Sequence, residues 1–193
     1  MALCTQILTK TIGYRVVFLL VLLALAGCQG QRLIEPEPCQ RANPIVVSRE
    51  AATRLQNKLL ANFGEDAPAH FRLSTDDVEV TSYLTIQTAG SNLDVPQVWF
   101  IPGRVCITGA LLVIGPLRTT FTVRVLAGIE DRRARVHFEY LRWGGWVLPA
   151  TVSGLLSRIA NETLQDARPD FEITELDIEP NRLLIAGTRR SQS

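Results

Sequence analysis

From Pro96 onward the apolar residues fall on alternate positions, and short turn signals interrupt them at regular intervals. Val98 and Phe100, then Val105, Ile107, Leu111 and Val113, flank the dipeptide Pro102-Gly103. Strand side chains point alternately to opposite faces, so this period of two selects extended chain over helix. After Gly115-Pro116 the pattern resumes at Phe121, Val123 and Val125 and stops near Gly128. Glu130-Asp131 supplies a polar turn, and Ala134, Val136, Phe138 and Tyr140 then alternate with Arg133, Arg135, His137 and Glu139. A closing hairpin is expected from Phe171 to Glu179 and from Arg182 to Arg189, turning at Pro180-Asn181. Successive strands joined by short turns pair as an antiparallel meander.

Helical signals flank this block. Ser48 is placed to cap a helix in which Ala52, Leu55, Leu59 and Phe63 share a face and Gly64 ends the run. After the short apolar piece Phe71 and Leu73, Ser74-Thr75-Asp76-Asp77 offers a cap and two carboxylates for a helix N-terminus. A helix to about Gln87 is expected there, although Val78, Val80, Tyr83, Leu84 and Ile86 would also suit a strand. Trp143-Gly144-Gly145-Trp146 reads as a hinge leading to Pro149 and a third helix. Its apolar face is expected to carry Val152, Leu155, Leu156 and Ile159, with Ser157, Arg158, Asn161 and Gln165 opposite. The fold class is α+β: a curved antiparallel sheet, meander plus C-terminal hairpin, packed with amphipathic helices. One domain over residues 45–190 accounts for it, with 191–193 as a tail.

The N-terminal region addresses a compartment. Only Lys10 and Arg15 are charged ahead of an apolar run from Val16 to Ala26, and Leu25-Ala26-Gly27-Cys28 follows. This arrangement resembles a bacterial lipoprotein signal peptide with its lipobox. The run is too short to cross a hydrocarbon layer of about 30 Å as a helix. The resemblance implies removal of residues 1–27 and a diacylglyceryl group on Cys28, with further acylation by chains such as palmitate. Ordinary secretory cleavage after Ala24-Leu25-Ala26 is the alternative. Two or more acyl chains anchor stably where one does not. The expected partner is therefore a membrane, reached through Cys28, with the domain in the bacterial cell envelope and facing away from the cytoplasm. Residues 28–44, with Pro36, Pro38 and Pro44, read as a lipidated cysteine and a proline-rich tether reaching at most about 50 Å.

The formal charge of +1 falls by two when Lys10 and Arg15 are removed, so no basic surplus points to nucleic acid. Cys39 and Cys106 either pair, pinning the tether to the domain, or stay apart as an exposed and a buried thiol. The second is the simpler expectation. With only His70 and His137 and no C-x-x-C pair, neither a zinc site nor a cofactor is expected. Chemistry-bearing constellations are nearly absent, and an enzyme is the third choice. Thr151-Val152-Ser153-Gly154 lies within a helix pattern and makes no nucleophile elbow. His137 and Glu139 share a strand face whose neighbours Arg133 and Arg135 mark it as solvated. Asp76-Asp77 reads as a helix start, and Asn161-Glu162-Thr163 as a sequon without significance in a bacterial chain.

Apolar surface is what the chain has in excess. In the strand from Arg104 to Ile114, Val105, Ile107, Leu111 and Val113 face one way and Cys106, Ala110, Leu112 and Ile114 the other. Either other elements cover both faces, or a curved sheet leaves a groove. Trp99, Ile107, Leu111, Trp143, Trp146, Leu155 and Ile159 are the candidate groove residues, the tryptophans near its mouth.

Four stretches carry a wider likeness: Ser74 to Leu84 (STDDVEVTSYL), Pro96 to Gly109 (PQVWFIPGRVCITG), Gly144 to Asn161 (GGWVLPATVSGLLSRIAN) and Ile173 to Gly187 (ITELDIEPNRLLIAG). In order and spacing they resemble small bacterial envelope proteins of the YpmS-like and LmeA-like kind. The resemblance implies a tubular, lipid-binding type of fold and affinity for phospholipid, and it supplies no catalytic residues. The lipobox departs from the transmembrane anchor of the YpmS-like proteins. The function expected is a membrane-tethered lipoprotein binding a phospholipid or other apolar ligand between sheet and helix. The alternative is a non-catalytic adaptor with a solid core and a protein partner.

Overall fold

A computed structural model describes residues 39, 41–64, 67–114, 117–167 and 171–189 of the chain. The Cys28 lipidation site, the signal segment, the tether before Cys39 and the tail at 191–193 lie outside the described residues. In chain order the elements are α1 (Arg49–Phe63), β1 (His70–Asp76), α2 (Asp77–Gln87), β2 (Leu93–Ile101), β3 (Arg104–Ile114), β4 (Leu117–Glu130), β5 (Arg133–Trp143), β6 (Trp146–Val147), α3 (Ala150–Ala167), β7 (Phe171–Glu179) and β8 (Arg182–Arg189).

Both cap expectations hold. The Ser48 side chain accepts from the Ala51 N–H at the start of α1, and Asp76 accepts from the Glu79 N–H at the start of α2. Turn chemistry sets the hairpins. Asp131 and Arg132 both have positive φ, 52° and 60°, the two-residue geometry that matches the twist of paired strands. Gly103 and Asn181 take the left-handed conformation at the β2–β3 and β7–β8 turns.

The strands form two antiparallel sheets instead of one curved sheet. The meander runs β2-β3-β4-β5-β6; the C-terminal hairpin recruits β1 in the order β1-β8-β7. Neither sheet closes or curls, so the expected curvature and tubular form are replaced by two open sheets. The hairpin sheet meets the meander through the turns: Gly103 donates to the Ile178 carbonyl at 2.9 Å, Asn181 to Phe100 at 3.2 Å, and Ile173 to Arg132 at 2.8 Å. Open sheets have edges, and each helix lies along one.

Helix α2 runs antiparallel to β2 and bonds its outer edge through residues four apart. Asp77 accepts from the Phe100 N–H, and the Thr81 hydroxyl both accepts from Val98 N–H and donates to the Val98 carbonyl, all at 2.9 Å. Thr85 reaches the Pro96 carbonyl at 3.4 Å. Helix α3 does the same for β5: Ser157 accepts from Phe138 N–H, and the Asn161 amide bonds both N–H and carbonyl of Val136. On β1, Asn62 of α1 accepts from Arg72 N–H and Lys58 donates to the Ser74 carbonyl. The spacing works because four helical residues rise about 6 Å and two strand residues about 6.7 Å.

One face of the meander is covered by Val80 and Leu84 of α2, by Leu176, Ile178 and Leu183 of the hairpin, and by Val152 and Leu156 of α3. The other face carries Trp99, Cys106 and Ile45. Here the simpler cysteine expectation gives way: Cys39 and Cys106 form a disulfide, and Cys106 has no exposed surface. The segment around it is sewn down further. The Gln97 amide bonds both N–H and carbonyl of Ile45, Arg41 pairs with Asp77 at 2.7 Å, and Ser48 N–H donates to the Ser82 hydroxyl. Both faces of β3 are thus covered in part by the protein itself, one by helices and hairpin, the other by Cys39 and Ile45.

Candidate functional site: an apolar cleft at the sheet junction

Apolar surface is left over where the far ends of α1 and α3 converge on the junction of the two sheets. There a half-open cleft of about 620 Å³ is bounded by Leu59, Leu60 and Phe63 of α1, Phe71 of β1, Tyr83 of α2 and Leu164 of α3. Ala134 of β5 and Phe171, Ile173 and Ile185 of the hairpin sheet form its floor. The stripe Leu59, Leu60, Phe63 follows helical spacing, so one face of α1 is committed first to the core at Leu55 and then to the cleft wall. Leu59, Phe63, Tyr83, Ile173 and Ile185 are only half-buried, because no side chain of the described residues fills the space before them. The volume falls within the range of about 300–1,000 Å³ typical of small-molecule sites.

Three rings hold the wall in shape. Phe63, Phe71 and Phe171 have centroids 5.0, 5.5 and 5.4 Å apart at tilted and edge-on angles, the arrangement favoured by ring quadrupoles. Gly187 lies under this cluster: a Cβ there would come 2.6 Å from the Phe71 ring and fall on the Glu172 carbonyl oxygen. Polar groups reach the cleft from Gln56, Gln165 and Arg133. Among the described residues, the lining contains no carboxylate, thiol or imidazole.

The structure disperses the seven candidate groove residues, and none of them lines this cleft. Trp99 is buried beside the disulfide on one meander face, whereas Ile107 packs on the opposite face with Val98 and Val123. Leu111 is half-buried opposite Leu93. Trp143 and Trp146 pair across the β5–β6 turn, the latter 76% exposed. Leu155 and Ile159 are 53% and 48% exposed, because α3 turns Ser153, Ser157 and Asn161 inward to the β5 edge. The expected helix face is therefore only half right: Val152 and Leu156 go in, Leu155 and Ile159 stay out. A stripe of partly exposed apolar residues at the end of α1 was the available signal for the cleft. Local patterning held no means of seeing that seven elements would meet there.

Other candidates resolve as structure. Asp77 is 1% exposed and Glu79 2% exposed. Burial pushes the Asp77 carboxyl up, against the hydrogen bonds from Phe100 N–H and Arg41. For Glu79 burial also works upward, but hydrogen bonds from Lys58 and Arg54 outweigh it and hold the carboxyl below its usual value. Glu139 is occupied by Arg104 at 2.7 Å and Arg124 at 3.0 Å. The Arg104 hydrogen bond holds Glu139 low, and a bulge between Phe138 and Tyr140 breaks the alternation that would align it with His137. Among the described residues, no group of three or more His, Cys, Asp or Glu is placed to hold a metal ion. No helix among them is long and apolar enough to cross a membrane. The Cys39–Cys106 disulfide is consistent with an extracytoplasmic domain.

The class defined is an α+β domain of two open antiparallel sheets with helix-capped edges and an apolar cleft at their junction. No family model matches the chain, and no curated protein sequence matches it. The four stretches singled out from the sequence fall on β1–α2, the β2–β3 hairpin, β6–α3 and the β7–β8 hairpin.

Proposed function

We propose that this protein is a lipid-anchored lipoprotein of the bacterial envelope whose domain binds a lipid-like molecule in the cleft at the sheet junction. The observation that carries the reading is the apolar cleft of about 620 Å³, walled by a preformed phenylalanine cluster and left unfilled by the side chains of the described residues. The disulfide, the lipobox at Cys28 and the pattern likeness to lipid-binding envelope proteins support it. The groove named from sequence moves: the ligand lies against Leu59, Phe63, Phe171 and Ile173, away from the tryptophans.

Native mass spectrometry of the gently purified protein tests the reading. The expected result is a co-purified lipid that is lost in Ala134→Trp, a variant that fills the cleft floor, while the intact mass carries a diacylglyceryl group on Cys28. An empty wild-type protein that also fails to take up added amphiphile would overturn the binding function. A solid-core adaptor would then be the better account.

A further inference from the structure

The cleft's volume and the one cation among its described lining residues narrow the ligand, provided the lipid-binding reading holds. A methylene is about the size of a water, which claims about 30 Å³ in the liquid. A space of about 620 Å³ then holds about twenty such groups. That suits one acyl chain and part of a headgroup; two chains need roughly twice the room.

Arg133 supplies the charge. It opens β5 directly after the tight Asp131-Arg132 turn, is exposed, and is one of the residues that line the cleft. The neighbouring arginines are committed elsewhere: Arg132 to Glu172 at 3.3 Å and Arg135 to Glu130 at 3.2 Å. Among the described residues, Arg133 has no carboxylate within ion-pair distance, and no acid lines the cleft to compete for it. Gln56 and Gln165 add amide donors to the same lining. A guanidinium at the edge of an apolar wall matches a carboxylate or phosphate at the end of a hydrocarbon chain. We infer that the cleft takes a single-chain anionic amphiphile, its chain against Phe63, Phe171 and Ile173 and its head on Arg133.

Calorimetric titration of the full, delipidated chain tests this, each probe being used below its micelle concentration. The probes are palmitate, 1-palmitoyl lysophosphatidate, hexadecanol and dipalmitoyl phosphatidate. Palmitate or the lysophosphatidate should bind about tenfold more tightly than hexadecanol, and the two-chain lipid more weakly than either. The tighter of the two anionic probes identifies the head as carboxylate or phosphate. Arg133→Gln should remove the tenfold preference, and Arg133→Lys should restore part of it. Equal binding of hexadecanol and palmitate, a preference untouched by Arg133→Gln, or tighter binding of the two-chain lipid would each overturn the inference while leaving lipid binding intact. Failure of all four probes would instead overturn the binding function itself.

Discussion

Glu79 shows how a buried charge is kept in this domain. Its carboxylate receives Lys58 at 2.6 Å, Arg54 at 3.1 Å and the Thr75 hydroxyl at 3.1 Å. The unfolded chain takes up a proton at the ordinary carboxylate value, and the folded chain only at lower pH. Stability from Glu79 is therefore present above that ordinary value and is lost as pH falls through the folded one. Asp77 has the opposite sign: its raised value means a contribution that is full below the ordinary carboxylate range and declines as pH rises through the folded value. We expect Glu79→Gln to cost about 2 kcal/mol at neutral pH, since both cations are partly solvated, and much less in acid. Urea midpoints measured from neutral pH down to the acid limb check this. A constant difference across that range would rule out the charge as the cause. Asp76-Asp77 was legible as a helix start, but the commitment of Asp77 to the Phe100 N–H was not, because that partner lies 23 residues away.

At the level of elements, the helices do two jobs that sequence patterning treats as one. Apolar periodicity located α1, α2 and α3 and their starts, because local spacing and caps depend only on neighbours in the chain. It misassigned the rotation of α3, because Ser157 and Asn161 look like a solvent face until an unpaired strand edge is present to bind them. Asn161→Leu should therefore destabilise the domain by about 2–3 kcal/mol, as both Val136 backbone groups lose their partner. Hydrogen exchange should show the Val136 amide deprotected. Leu155→Ser, at the position that patterning placed in the core, should change stability by no more than about 0.5 kcal/mol. The reverse order of the two effects would mean that the helix packs by its aliphatic stripe.

For the whole molecule, the disulfide closes a loop of 67 residues between the entering chain and β3. On chain-entropy grounds such a cross-link is worth about 4 kcal/mol. Reduction should lower the melting temperature by roughly 10 °C in a domain of this size. Calorimetry with and without reductant measures it, and Cys106→Ala should abolish the response. A melting point indifferent to reductant would show that Arg41, Gln97 and Ser82 hold the segment unaided.

Read alone, the sequence settled the α+β class, the three helices, strands β2–β5, β7 and β8, the hairpin turns and two of the helix caps, but not strands β1 and β6. Each of these follows from spacing and backbone preference over a few residues. Tertiary structure alone decided that there are two open sheets, that β1 joins the C-terminal hairpin, that Cys39 finds Cys106, and that a cleft opens where the ends of α1 and α3 meet the sheets. Those features depend on which edges and surfaces remain unpaired after the local elements have formed. That competition is settled only when distant segments are brought together.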